Sequence, residues 1–492
     1  MNRTTQSKSF CKRFLELHAP QAITVLATLA YLFMAFATVK CEAGSEGGPV
    51  IPPTLLGAPG PLDTQLAGAL NQAGVTPIAV PTQESDAMIA LGKSLFFDKI
   101  LSGDQDIACS TCHLPTLGSG DQLPTSIGAG GSGSGFARAV SGGQMIARNA
   151  PPLFNLGVNE MNIMFWDGRV SRDDASGVLT TPESTLNGAS PARSDITAQL
   201  TSALAAQAMF PVTSNEEMRG QPGNDIRDAA NNQAAWAAIM ARLVGTGNGS
   251  SGGLAAYRTL FSAAFPTLTN YDDLNFGHAA RAIAAYERQA FLSVGSPFDR
   301  YLAGDLLALS DSEKRGALTF FGGAGGCSGC HNGPLLTDNQ FHGIAAPQLG
   351  PGASGGDDPG RQLISGNGGD RYEFRTPPLR NVALTAPYTH AGAYTSLEAV
   401  VAHYANTATG IQNYDGSQLG RSDYIATVDT NATRIQARID ARDRRVARPR
   451  RLSAGQRAEL TAFLRSLSDP AFLGDLSGEI PASVPSGLPV AD

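Results

Sequence analysis

Charge and cysteine are both scarce in this chain. Charged residues make up 16% of it, well below the roughly 25% of an average globular protein. A net charge of −7 leaves no basic footprint for nucleic acid. Only six cysteines occur in 492 residues: Cys11, Cys41 and four in two short patterns. Histidine is just as sparse, with only His113 and His278 between residues 42 and 300. All nine methionines lie at or before Met240, so the second half of the chain offers no thioether. Glycine (56) and proline (30) are plentiful instead, which favours long irregular stretches over dense regular structure. The length allows two or three domains, and a loop-rich chain of that size needs something at its centre. A large apolar cofactor would serve.

The first forty residues form a unit of their own. Arg3, Lys8, Lys12 and Arg13 precede an apolar run from Ala19 to Val39. A basic flank followed by such a run marks a signal peptide or an N-terminal membrane anchor over residues 1–40. The run is long enough to span a bilayer, although Ala35-Phe36-Ala37 could be a cleavage site. Either way the bulk of the chain is expected in the periplasm, with tethering to the inner membrane by residues 19–39 as one form. Residues 41–85, with GPVIPPTLLGAPGPL, are expected to be a flexible linker.

Four cysteines sit in Cys109-Ser-Thr-Cys112-His113 and Cys327-Ser-Gly-Cys330-His331. A periplasmic Cys-x-x-Cys can be a disulfide, but that leaves the histidine after each pair unexplained. Zinc ribbons pair such units about 15–20 residues apart, whereas these lie roughly two hundred apart. In Cys-x-x-Cys-His the two thiols add across the haem vinyl groups and the histidine reaches the iron. The expectation is two covalently bound haem c groups, with His113 and His331 as iron ligands.

Apolar spacing predicts a helix in SDAMIALGKSLFFDKILS, and FGHAARAIAAYERQAFLS reads as an amphipathic helix. SDSEKRGALTFFGG opens another, with Ser310 as N-cap and Glu313 completing a capping box. SAGQRAELTAFLRSLSD reads as a terminal helix, and the arginine-rich 434–451 as a solvated helix face that could dock an acidic partner. Helix, aromatic pair and cysteine motif thus occur twice, which indicates two related domains.

The stretches LGKSLFFDKILS, PTSIG, RNAPPLFN, FWDGR, AIAAYER, SPFDRYLAGD, KRGALTFFGGAGGCSGCH and TPPLRNVALTAPYTHAG cover most of residues 86–470. In that order they resemble the bacterial di-haem cytochrome c peroxidase and MauG superfamily, on its MauG-like His/Tyr side. The resemblance implies a mainly α fold of two cytochrome c-like haem domains with long irregular loops. It places an N-terminal peroxidatic haem domain at 86–298, a C-terminal electron-transfer haem domain at 299–475 and a tail at 476–492. Hydrogen peroxide would be reduced at the N-terminal haem, while the C-terminal haem stores or relays electrons from a small cytochrome or cupredoxin. An alternative is a MauG-like oxidase acting on Trp or Tyr of a partner protein. A third reading is a non-enzymatic periplasmic electron-transfer cytochrome.

Residue roles follow from the resemblance. Trp166 matches the tryptophan between the haems, and Glu217 the distal glutamate that moves a proton between the peroxide oxygens, with Glu216 as its neighbouring rival. Arg169 would hold a haem propionate. Asn149, Thr385 and Pro387 match positions that supply neutral oxygens to calcium.

Two departures stand out. After PTSIG the family keeps a distal histidine where this chain has Ala129, so the N-terminal iron is expected to lack a sixth protein ligand. Tyr404 falls at the position of the C-terminal methionine ligand, with His403 as competitor. His342 and His390 belong to stretches that line the haem in the family.

Overall fold

The computed structural model describes residues 58–490. The expected signal or anchor therefore lies outside the described residues, and among these no helix is long and apolar enough to cross a membrane.

The main helices begin where a short polar side chain can accept a free backbone N–H. Helix α1 (Pro61–Gln72) opens with proline at its first position, and the Gly60 N–H donates to Asp63 at 2.9 Å. Ser85 caps α2 (Asp86–Phe97) and Asn275 caps α3 (Phe276–Ala290). Ser310 caps α4 (Asp311–Phe321), and its own N–H donates to Glu313 at 2.7 Å in the expected capping box. Ser396 caps α5 (Leu397–Ala405) and Ser453 caps α6 (Ala454–Ser466), which a short α7 (Ala471–Ser477) follows.

The internal repeat has a packing reason. Gly92 precedes Phe96-Phe97 on α2 as Gly316 precedes Phe320-Phe321 on α4. A Cβ on Gly92 would stand 1.8 Å from the Ala282 carbonyl oxygen of α3. One on Gly316 would stand 2.0 Å from that of Glu459 on α6. Each lobe thus has its own tight helix crossing, possible only without a side chain. The phenylalanine pairs fill the two cores beside these crossings.

The mainly α fold is as expected, but two expected boundaries change. The supposed linker contains α1, whose Leu66 and Leu70, with Val75, are buried in the core of the C-terminal lobe among Phe320, Phe463 and Leu467. Asp63 anchors it, paired with Lys314 at 2.7 Å and accepting from the Tyr301 hydroxyl at 3.0 Å. Apolar residues at helical spacing outweighed the proline and glycine around them. The supposed tail packs back on the N-terminal lobe. There Leu476 and Val484 are buried, and Ser486 donates its hydroxyl to Asp98 at 2.6 Å. The two ends of the described segment have exchanged lobes. The arginine-rich segment is also not one helix, because helicity covers only Ala432–Asp440.

Strands are few. β1 (Ile163–Met164) and β2 (Val170–Arg172) form a hairpin, extended antiparallel by β3 (Leu179–Thr180). β4 (Phe341–His342) pairs antiparallel with β5 (Phe374–Arg375) in the other lobe. The β1–β2 turn, Phe165 to Arg169, reaches the second lobe, where the Arg375 N–H donates to the Trp166 carbonyl at 2.8 Å. Arg148 clamps the turn from beneath, donating to Asp167 at 2.5 Å and to Asp358 at 2.7 and 2.9 Å.

Candidate functional site

A cavity opens beside each Cys-x-x-Cys-His stretch. The first is lined by Cys109, Cys112, His113, Trp166, Arg169 and Glu217, the second by Cys327, Cys330, His331, His342, His390 and Tyr404. Their empty spaces, counted out to the mouths, are about 1560 and 1850 Å³. Close-packed interiors leave few voids larger than a water molecule, so a cavity beside each motif suits a bulky group.

The two motifs are held alike. Cys109–Cys112 is a single helical turn, and Cys327–Gly329 a tighter one. Nδ1 of His113 bonds to the Ser119 carbonyl at 3.1 Å, and Nδ1 of His331 to that of Leu336 at 3.0 Å. Burial lowers the pKa of both rings, so each is neutral. A neutral imidazole anchored through Nδ1, with Nε2 turned to a cavity, is poised as a metal ligand. Among the described residues the four cysteines form no disulfide. They lie in separate cavities and do not converge on one ion.

Glu217 sits on a wide π turn, Asn215–Arg219, its N–H held by the Ser214 hydroxyl at 3.2 Å. Its carboxyl lines the first cavity, and burial raises its pKa against the pull of Arg169. Glu216 is exposed, with the Ser214 hydroxyl on its carboxylate at 3.3 Å. Arg169 lines the same cavity, its guanidinium 3.5 Å over the Phe165 ring and 3.2 Å from Asp167. His113 is the only histidine on this wall, and buried Ala129 is not part of it.

In the second cavity Tyr404 faces the space, its phenol kept neutral by burial. His403 points away: Nδ1 bonds the Tyr394 hydroxyl at 2.8 Å and Nε2 the Ile344 carbonyl at 2.9 Å. His342 spends both nitrogens on Asp338 and Asp443, at 2.9 and 2.8 Å. His390 lies flat on Phe374, centroids 3.5 Å apart, and burial drops its pKa to about 3.

Trp166 belongs to both walls, with its indole N–H donating to the Asn149 carbonyl at 2.9 Å. Asn149, Thr385 and Pro387 all line the second cavity.

Three features were not legible from motifs. Arg375 lines both cavities. It is buried and donates to the Phe165 and Thr376 carbonyls at 3.1 and 3.3 Å, with no carboxylate partner among the described residues. Such a cation suits a cofactor bearing carboxylates. Glu287 of α3 lines the first cavity, and burial raises its pKa to about 8. Met164 and Met218 also reach that wall. Glu287 stands in a stretch that reads as packing, and only the fold turns it inward.

A family model for di-haem cytochrome c peroxidase matches residues 86–306. The cytochrome c551 peroxidase of Pseudomonas aeruginosa is 32% identical over 67% of this chain and 74% of its own. The chain belongs to the di-haem cytochrome c peroxidase family. As a member it is an oxidoreductase of the cytochrome c peroxidase type, and the family's two c-type haems have a motif and a cavity each here. The methylamine utilization protein MauG of Methylorubrum extorquens is 29% identical over 72% of this chain and 82% of its own. Among solved structures, a MauG-like protein associated with microbial copper homeostasis is 25% identical. It covers 81% of this di-haem peroxidase and 94% of its own chain, with a TM-score of 0.53.

Proposed function

We propose that this di-haem peroxidase reduces hydrogen peroxide in the first cavity with electrons delivered through the second. Cys109, Cys112 and His113 would hold one haem c and Cys327, Cys330 and His331 the other. When bound, the haems supply the redox chemistry: peroxide reduction at the first iron and electron storage at the second. The observation that carries this reading is Trp166, one oxidisable ring in the wall of both cavities.

The remaining work falls to side chains. Glu217, whose raised pKa suits a group that both takes and returns a proton, moves the proton from one peroxide oxygen to the other. Arg375 and Arg169, both in the wall of the first cavity, provide positive charge for propionates. Tyr404 would supply its phenolate oxygen to the C-terminal iron; a metal cation is what would let so deeply buried a phenol ionise. Calcium at Asn149, Thr385 and Pro387 would draw on neutral oxygens. The setting is the periplasm, with the 1–40 segment as signal or anchor.

A second reading, oxidation of Trp or Tyr on a partner protein, is favoured by one observation: an anionic-capable phenol rather than a thioether faces the second cavity. Steady oxidation of a reduced small cytochrome by peroxide supports the first reading, and activity confined to one partner protein the second. The direct test is Glu217→Gln. Peroxide turnover is expected to fall about 10²–10⁴-fold, with haem content by the pyridine haemochrome assay unchanged. A loss under tenfold would remove Glu217 from the chemistry, and a wild-type protein inert to peroxide would end the proposal.

A further inference from the structure

The two cysteine turns differ in what covers them. In the first, Ser110 and Thr111 are buried. In the second, Ser328 is half-buried and Gly329 exposed, and the preceding Gly323 and Ala324 are exposed too. A Cβ on Gly323 would meet nothing within 4 Å. The wall between the second cavity and solvent is therefore thin, flat and poor in side chains at Cys327 and Cys330.

Arginines rim that window. Arg445 brings its Cδ to 3.4 Å from where a Cβ of Gly329 would stand, and Arg450 its Nη1 to 2.6 Å from that of Gly326. Both also line the second cavity. The segment 434–451 holds eight arginines and two aspartates, in a chain whose net charge is −7.

Part of this charge is used internally. Arg434 pairs with Asp429 at 2.7 Å, buried Arg438 pairs with Asp357 and Asp429, and Arg445 meets Asp443 at 2.9 Å. Arg442 donates to the Ile439 carbonyl at 2.7 Å. Arg444, Arg448 and Arg451 are exposed and form no ion pair among the described residues. They belong to the same segment as Arg445 and Arg450, and exposed unpaired cations contribute nothing to packing. They create a local positive field on an acidic protein, the arrangement that steers an oppositely charged partner into register.

We propose that this arginine rim is the docking face for a small acidic redox protein, one whose own redox centre is ringed by Asp and Glu. The proposal rests on the peroxidase reading above and names the donor class for its second cavity. The electrons balance simply: two donor molecules each lose one electron, and hydrogen peroxide takes two electrons and two protons to give two waters. The electron enters across the Gly323–Gly329 window, where exposed small residues stand between donor and cavity.

The test uses the full-length haem-loaded protein, peroxide and two reduced probes: a cupredoxin with an acidic face, and a cytochrome c with a lysine-rich face. For the wild type, kcat/KM with the acidic probe should exceed that with the lysine-faced one, and fall about tenfold or more as salt rises. The combined Arg444→Glu, Arg448→Glu, Arg451→Glu variant should lose about tenfold or more with the acidic probe and gain with the lysine-faced one. The gain shows that the variant is folded and loaded. A wild-type preference for the lysine-faced probe, or rates untouched by charge reversal, would overturn the proposal alone. So would untouched rates accompanied by lost binding to phosphatidylglycerol vesicles, which would assign the rim to a membrane. Failure of the wild type to oxidise either probe would overturn the peroxidase reading itself and this proposal with it.

Discussion

Glu287 is a carboxyl with one oxygen, Oε2, left without a hydrogen-bond partner deep in the wall of the first cavity. Burial raises its pKa from 4.5 to about 8, so the folded chain binds its proton more tightly than the unfolded chain does. Its neutral form is therefore favourable at low pH, and that advantage is lost progressively as pH climbs from 4.5 to about 8. Glu287→Gln keeps the shape without the charge and should flatten the fall in stability over that interval. Denaturation midpoints measured across it for both proteins would show the effect, and parallel curves would refute it. Residue choices between neighbours were partly legible in sequence. Motif position favoured Glu217 over Glu216 and Tyr404 over His403, and the fold turns the first of each pair inward. For Glu287 and Arg375 there was no local signal, since a buried charge looks like any surface charge until its surroundings are known.

Among the elements, α1 shows how composition can mislead. Its flanks are rich in proline and glycine, yet Leu66, Leu70 and Val75 complete a core begun by α4 and α6. Asp63 and Lys314 form a buried pair at its first turn, with side chains 8% exposed on both sides. Removing one partner leaves the other buried and uncompensated, at a cost on the order of 3 kcal/mol. Asp63→Ala should therefore lower the chemical-denaturation stability of the haem-loaded protein by about that much; a change within error would mean that the pair is solvated. The capping box at Ser310 and Glu313 was legible because its signal is local. The docking of α1 was not, because its partners on α4 and α6 lie roughly two hundred and fifty to four hundred residues away.

At the scale of the molecule, the ends of the described chain tie the lobes together. Helix α7 and the residues after it leave the C-terminal lobe and pack on the other. Phe472 meets Phe154 with centroids 6.0 Å apart, Lys93 pairs with Glu479 at 2.9 Å, and Ser486 reaches Asp98. Removing residues 470–490 should therefore loosen the lobe that is distant in sequence. Hydrogen exchange is expected to speed up in α2 and around Tyr257, which donates to Asp98 at 2.7 Å, while α4 and α6 keep their protection. Faster exchange in α4 and α6 alone would contradict the exchange of ends.

The sequence by itself determined the two Cys-x-x-Cys-His motifs and the repeated helix–aromatic–cysteine unit. Covalent attachment needs two thiols and an imidazole within five consecutive residues, and helix capping is settled within four. Only the tertiary structure decided that one indole is shared by two cavities, that the Arg375 guanidinium borders both, and that one cysteine turn is shielded and the other laid bare under arginines. Those facts depend on which distant segments meet, and burial and the electric field are properties of the packed whole.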